Sequence, residues 1–258
     1  LAIFAAIGCI ASFGIPHTPV ARSEGGFVDT IKGSLQAILA DRVIWLAVLG
    51  SGLFWAIASL LGQDILVYAK ALTLGQPDSD TLSGLPLAFY GIGVGLGSVW
   101  AGRLSGRLVE YGLIPLGAIG IGFFTMLFGL IAPGYYLTLV FMAALGIASG
   151  LIVVPLNAIL QWRSPAERRG GVIALANVFI FAAIVAGSLG ATGLAFAGLS
   201  PLGILIFASV ITTGGMLWAI YLLPDFLIRL IFVIITHFFY RLTVVNGEKI
   251  PLEGGALL

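Results

Sequence analysis

The sequence predicts an all-α membrane protein, and three observations support this fold class. Hydrophobic residues make up 60% of the 258 residues and charged residues only 9%, whereas about a quarter of the residues of a soluble domain are charged. Apolar runs of about the 20 residues that a transmembrane helix needs recur along the chain. Cationic side chains occur almost entirely in alternate connections between these runs, as in multi-pass membrane proteins.

Six apolar runs have the length of a transmembrane helix. They are Val43–Asp64, Leu85–Arg103, Leu113–Ala132, Tyr136–Asn157, Val172–Ala191 and Pro201–Leu222. Residues 42–223 are therefore predicted to form one six-helix bundle. The apolar run 1–15 is shorter than a span and is interpreted as the end of a truncated helix. Both ends of the chain are expected to belong to a longer protein.

Two further segments flank the predicted bundle. Residues 16–41 form a polar loop in which apolar residues recur at helical spacing, at Phe27, Ile31, Leu35, Ile38 and Leu39. This pattern indicates either an amphipathic helix on the membrane surface or an ordinary linker helix. Residues 224–258 begin with an apolar stretch too short to span, which predicts an interfacial helix. They end in a β-branched run and an Asn-Gly turn, which predict the first strand of a truncated α/β domain.

The cationic residues indicate the orientation. Eleven lie on one predicted side: Arg22, Lys32, Arg42, Arg103, Arg107, Arg163, Arg168, Arg169, Arg229, Arg241 and Lys249. Only Lys70 lies on the other side. Because cytoplasmic loops carry the excess of Lys and Arg, we expect the basic loops and the C-terminus to be cytoplasmic, in a cell inner membrane.

A glycine-rich stretch ends the second predicted span. Gly93 and Gly97, and likewise Gly102 and Gly106, have the spacing that lets two membrane helices approach closely. The arginines that follow mark the exit from the lipid. With the loop 161–171 they give a candidate cytoplasmic gate: Gly102, Arg103, Gly106, Arg107, Glu110, Glu167, Arg168 and Arg169. These charges either pair across the gate or form a solvated basic face. In that loop, Ser164-Pro165 with Glu167 predicts a helix start.

Four polar residues in or beside the spans are candidates for a substrate path: Gln63, Asp64, Asn157 and Asn177. Polar groups are costly in hydrocarbon unless they serve a cavity or a partner. For Asp64, a carboxylate at a helix end near the outer surface is an alternative to a substrate or ion ligand. For the two asparagines, hydrogen bonding between helices is an equal alternative. No catalytic, cofactor-binding or metal-ligating motif occurs in the sequence, so neither an active site nor a cofactor is predicted within these residues.

The chain resembles the C-terminal half of a major facilitator superfamily transporter. The segment AGRLSGRLVEYG, 101–112, is similar to the cytoplasmic Gly-x-x-x-Asp-Arg-x-Gly-Arg motif of that family. Gly102 stands where the motif has Asp, one residue is inserted before Gly106, and Glu110 is a candidate substitute for the acid. The resemblance implies two six-helix bundles, each of inverted three-helix repeats, of which this chain would supply one.

Three segments narrow the resemblance to the bacterial lysophospholipid transporter branch: 112–120, 154–178 and 223–230. Residues 240–258 resemble the segment ahead of the Asn-His-x-x-x-x-Asp motif of a fused 2-acylglycerophosphoethanolamine-type acyltransferase. His237 precedes that segment and is not the catalytic histidine.

The resemblance implies movement of a lysophospholipid to the cytoplasmic leaflet and its reacylation. The implied partners are the lipid bilayer, the lysophospholipid, the other transporter half, the acyltransferase domain and acyl carrier protein. The alternatives are a transporter of another small amphiphile or drug, and a membrane anchor for a phospholipid-synthesising acyltransferase.

Overall fold

The structure, a computed structural model, describes residues 8–9, 11–14, 26–105 and 109–222. Beyond short helical pieces before Phe13, the described chain is helical in seven segments and contains no strand. The helices are α1 Phe27–Ala40, α2 Arg42–Leu72, α3 Ser79–Ser105, α4 Leu113–Ile131, α5 Tyr135–Arg163, α6 Arg169–Phe196 and α7 Pro201–Leu222. The all-α prediction is confirmed for this part. The predicted interfacial helix and strand of 224–258, and most of the predicted 1–15 helix end, lie outside the described residues.

Five of the described helices, α2 to α6, are long and apolar enough to cross a membrane. The sixth predicted span corresponds to α7, which has 22 residues. A helix of that length extends about 33 Å, close to the roughly 30 Å of the hydrocarbon core. The apolar part of α7 is shorter, Pro201–Gly215, so α7 is not among the five helices that are long and apolar enough to cross a membrane.

Several helices extend past the predicted ends of their spans. The helix α2 continues to Leu72, eight residues beyond the predicted end at Asp64, and has 31 residues in all. It is therefore about 46 Å long and longer than the hydrocarbon core is thick. Hydropathy identifies the residues that sit in lipid, but a helix keeps its hydrogen bonds when it enters water. The apolar runs therefore located the spans, and the helices α2, α3, α5 and α6 are longer than the predicted runs.

Glycines bring α3 and α5 into backbone contact. A Cβ atom on Gly93 would collide with the carbonyl of Ala143, and one on Gly97 with the carbonyl of Ile147. From the other side, Gly146 faces the carbonyl of Tyr90 in the same way. The prediction for Gly93 and Gly97 is confirmed. For the second pair it is not, because a Cβ on Gly102 would meet nothing within 4 Å, and Gly106 lies outside the described residues.

The helix α5 is the centre of the bundle. Half of its most apolar stretch is buried, the largest share among the five candidate spans, and it packs against α2, α3 and α4. The helix α6 packs mainly on α2, and only 11% of its most apolar stretch is buried. Its exposed surface includes Val178, Phe181 and Leu189. Apolar side chains exposed along a spanning helix are expected to face lipid or another helix bundle.

Candidate functional site

An apolar cavity in the described part of the chain lies between α2, α3 and α5. We call it the central cavity; it has a volume of about 480 Å³. On α2 its lining begins at Phe54 and ends at Ile65, around the middle of that helix. Two polar groups in this lining pair with each other, because the hydroxyl of Tyr90 on α3 donates to Ser149 Oγ on α5 at 2.9 Å. An apolar pocket with a few placed polar groups is typical of ligand sites.

A second apolar cavity lies between α2, α4, α5 and α7. Its volume is about 320 Å³. On α2 its lining begins at Val43, near the helix end that carries Arg42, and Phe54, Ile57 and Ile121 line both cavities. Together the two cavities follow α2 from Val43 to Ile65, a distance of about 33 Å along the helix axis. The apolar space therefore extends over a length comparable to the thickness of the hydrocarbon core.

The four predicted path residues do not line either of these cavities. Gln63 Nε2 donates to Ser188 Oγ and so joins α2 to α6. Asn157 is exposed and donates to the carbonyl of Val153 one turn earlier in α5, and Asn177 is exposed on α6. Gln63 therefore forms a hydrogen bond between helices, whereas the bond of Asn157 stays within its own helix.

Asp64 does not lie at a helix end. It lies inside α2, eight residues before the helix ends at Leu72, and it is only 5% exposed. The helix-end interpretation is therefore wrong. Lys70, six residues later in α2, forms an ion pair with Asp80 at 3.8 Å. Asp64 Oδ2 has no hydrogen-bond partner among the described residues, so the carboxyl group is buried within the bundle.

The predicted gate residues are only partly described. Gly106 and Arg107 lie outside the described residues. Gly102, Arg103, Glu167 and Arg169 are exposed and Glu110 is half-buried. Arg168 is exposed, but its Nη1 donates to the carbonyl oxygen of Gly33 in α1 at 3.0 Å. This arginine therefore binds the helix ahead of the bundle.

The predicted helix start in the loop 161–171 is wrong. Ser164 terminates α5, and its hydroxyl donates to the carbonyl of Leu160 at 2.5 Å. The next helix, α6, begins five residues later at Arg169 without a side-chain cap. A Ser-Pro pair is compatible with both ends of a helix, because the residue before proline avoids the helical conformation. Here that preference ends α5.

An ion pair that the sequence analysis did not anticipate joins this loop to the start of α2. Arg163 Nε donates to Asp41 Oδ2 at 2.7 Å. The other oxygen of Asp41 accepts hydrogen bonds from the backbone amides of Val43 at 2.8 Å and Ile44 at 3.3 Å. Asp41 therefore caps α2 and holds the end of α5 at the same time. The sequence signal was present, since an aspartate directly before an apolar helix is a typical N-cap.

These contacts shift the titration of Asp41. Partial burial raises its pKa, but the hydrogen bonds from Arg163 and from the amides of Val43 and Ile44 outweigh burial, so the pKa lies below 3.8. Because the folded-state pKa is depressed, the stabilisation is present above 3.8 and is lost as the pH falls through the lowered value.

We therefore expect a pH-dependent difference in stability between the wild type and the Asp41→Asn variant. The difference in unfolding temperature should be constant near neutral pH and should shrink as the pH falls below 3.8. Thermal unfolding in detergent across this pH range measures it. A difference that stays constant in acid would contradict a stabilising role for the Asp41 charge.

Comparison with known proteins places the chain in a family. A family model described as Major Facilitator Superfamily matches residues 1–188. The lysophospholipid transporter LplT of Yersinia pestis strain Pestoides F is 32% identical over 187 residues, which cover 69% of this chain and 44% of that protein. The lysophospholipid transporter LplT of Photorhabdus laumondii is 27% identical over 171 residues, which cover 62% of this chain and 40% of that protein. No solved structure matches the chain.

The chain spans less than half the length of these curated relatives. The family match nevertheless covers most of the chain, and it includes the helices that surround the central cavity and the Asp41–Arg163 pair. The described part has the fold expected of such a protein, with five helices long and apolar enough to cross a membrane. The chain therefore belongs to the Major Facilitator Superfamily of multi-pass membrane transporters.

Proposed function

We propose that this chain is part of a transporter that moves lysophospholipids to the cytoplasmic leaflet of a cell inner membrane. The observation that carries the proposal is the central cavity, whose lining is apolar apart from a few groups such as the Tyr90–Ser149 pair. A lysophospholipid has one acyl chain and one polar head, and such a cavity matches the acyl chain. The names of the curated relatives support the same substrate class.

The physical task of such a transporter is to lower the barrier for a polar head crossing hydrocarbon. Charged and strongly polar groups are costly in the bilayer core. In transporters of this architecture, substrate sites lie near the midplane, between repeats or bundles that move against each other. The central cavity lies beside the middle of α2. We therefore assign it to the acyl chain, while the head follows a more polar path toward the other transporter half.

The proposal extends to a fused acyltransferase that reacylates the product. This step is supported by the sequence of residues 240–258, which resembles the segment ahead of the acyltransferase motif. These residues lie outside the part of the chain that the structure describes. The excess of arginine and lysine on one predicted side supports a cytoplasmic position for that enzyme. The other transporter half and acyl carrier protein are the partners that this arrangement requires.

A substitution that fills the central cavity tests the proposal. Gly62 lines this cavity, and a Cβ on it would meet nothing within 4 Å, so Gly62→Leu should fold and occupy the space of the acyl chain. Reconstituted into liposomes, the full-length variant should move fluorescent lysophosphatidylethanolamine at least tenfold more slowly than the wild type. Gly214→Leu on α7 is the matched control, because Gly214 has equal room and lines neither cavity.

The same assay separates the alternatives. Wild-type protein that moves no lysophospholipid between leaflets would overturn the proposal. Movement that other amphiphiles or drugs compete away more strongly than lysophospholipids would favour a transporter of another substrate. Acylation that persists without any movement would favour a membrane anchor for the acyltransferase. Equal rates for Gly62→Leu and Gly214→Leu would show that the acyl chain does not use the central cavity.

A further inference from the structure

The short helix α1 has three distinct faces. One face packs on the bundle, where Ser34 is 2% exposed and Ile38 is completely buried. A second face carries exposed apolar side chains, and the third carries Asp29, Lys32 and Gln36, which are exposed and polar. At about 100° per residue, the three polar residues occupy an arc of about 60°. A linker helix between a protein and water needs only two of these faces.

The apolar face is continuous. It consists of Phe27, Val28, Ile31, Leu35 and Leu39, which we call the apolar stripe. Their exposed fractions are 81%, 58%, 39%, 36% and 57%. The stripe covers an arc of about 120° on the helix surface. Phe27 overlaps the angular range of the face that packs on the bundle, and the rest of the stripe lies between that face and the polar face.

The position of α1 along the bundle is fixed by its neighbours. Only Asp41 separates it from α2, which is long and apolar enough to cross the membrane. Asp41 is held by Arg163 at the end of α5, and the Gly33 carbonyl is held by Arg168 ahead of α6. A Cβ on Gly171 of α6 would collide with the Ser34 hydroxyl, so the two helices pack closely. The helix therefore lies at the level where α2 and α6 begin and α5 ends.

We propose that the apolar stripe of α1 is embedded in the lipid leaflet at this end of the bundle. The occupant is the boundary between head groups and acyl chains. The argument is continuity, because α2, which is long and apolar enough to cross the membrane, begins at Arg42, with only Asp41 between it and α1. Amphipathic helices in this position bury the apolar face in the leaflet and leave the polar face in water. Four arginines lie at the same end of the bundle: Arg42, Arg163, Arg168 and Arg169. Cationic side chains at a membrane surface are attracted to anionic lipid head groups.

The test measures what surrounds each face of α1 in the full-length protein. Single cysteines at Leu35 and Val28 on the stripe, and at Gln36 on the polar face, are introduced into a cysteine-free background. Each carries an environment-sensitive fluorophore, in nanodiscs that contain lipids brominated near the top of the acyl chain. We expect these lipids to quench the labels at 35 and 28 at least threefold more than the label at 36, and aqueous iodide to show the opposite order.

Two results would overturn the proposal. Labels on the stripe that are protected from both quenchers would show that protein covers it, either the other transporter half or a further domain. Equal quenching by iodide at positions 35 and 36 would show that α1 lies in water. Two stripe positions are labelled so that a folding defect of one variant does not decide the outcome. Neither result depends on the transported substrate, so the inference stands apart from the proposed function.

Discussion

The Gly97→Leu variant is expected to lose most of its correctly folded protein. A Cβ at this position would collide with the backbone of Ile147 across the α3–α5 contact. Overpacking a core typically costs about 1–3 kcal/mol, and the cost here should reach the upper end because a backbone carbonyl cannot move aside as a side chain can. The measurement is the fraction of full-length protein that elutes as a single species in mild detergent, together with its unfolding temperature.

A matched control lies on the same helix. A Cβ on Gly95 would meet nothing within 4 Å, so Gly95→Leu changes the same residue type without touching α5. We expect its stability to stay within about 0.5 kcal/mol of the wild type, as for ordinary surface substitutions. Equal loss of folded protein in both variants would contradict the packing argument, since the effect would then come from adding leucine to α3 at any position.

The second large effect is expected at Asp41, because this carboxylate has two structural roles. Asp41→Ala removes the N-cap of α2, which is worth about 0.5–2 kcal/mol. It also removes the ion pair with Arg163, a partly exposed contact worth up to about 1 kcal/mol. The expected loss in free energy of unfolding is therefore about 0.5–3 kcal/mol, measured by thermal or denaturant unfolding in detergent.

Two further variants separate these roles. Asp41→Asn keeps a side-chain oxygen for the cap and loses the charge, while Arg163→Gln loses the charge on the other partner and leaves the cap intact. Both should cost less than Asp41→Ala and should resemble each other. If Asp41→Asn were as damaging as Asp41→Ala, the cap would contribute little, and the distances from Asp41 to the amides of Val43 and Ile44 would not reflect its role.

The sequence predicted the features that depend on local composition. The apolar runs identified the membrane helices because hydropathy averaged over about 20 residues reports the thickness of the bilayer core. The spacing of Gly93 and Gly97 predicted the close contact of two helices, because small residues four apart form one face. The end of α2 was missed because the predicted span stopped at the polar pair Gln63 and Asp64, whereas Ile65–Leu72 continues the apolar run with one charged residue, Lys70.

Features that depend on which helices become neighbours could not be predicted. Asp41 and Arg163 are 122 residues apart in the chain, and Tyr90 and Ser149 are 59 apart. The burial of Asp64 could not be predicted for the same reason, because side chains of other helices enclose it. Its distance along α2 suggested a position near a surface, whereas the packing of the bundle encloses it. The cavities likewise arise between helices and have no sequence signature.

The glycine contact between α3 and α5 also bears on how the bundle could move. No side chain lies between the two backbones at Gly93, Gly97 and Gly146, so the interface cannot adapt by exchanging rotamers. Well-packed interfaces switch between discrete arrangements and do not deform continuously. We therefore expect α3 and α5 to move as one rigid body in the transport cycle proposed above. Tyr90 belongs to α3 and Ser149 to α5, so the hydrogen bond between them should keep its geometry in the inward-open and outward-open states.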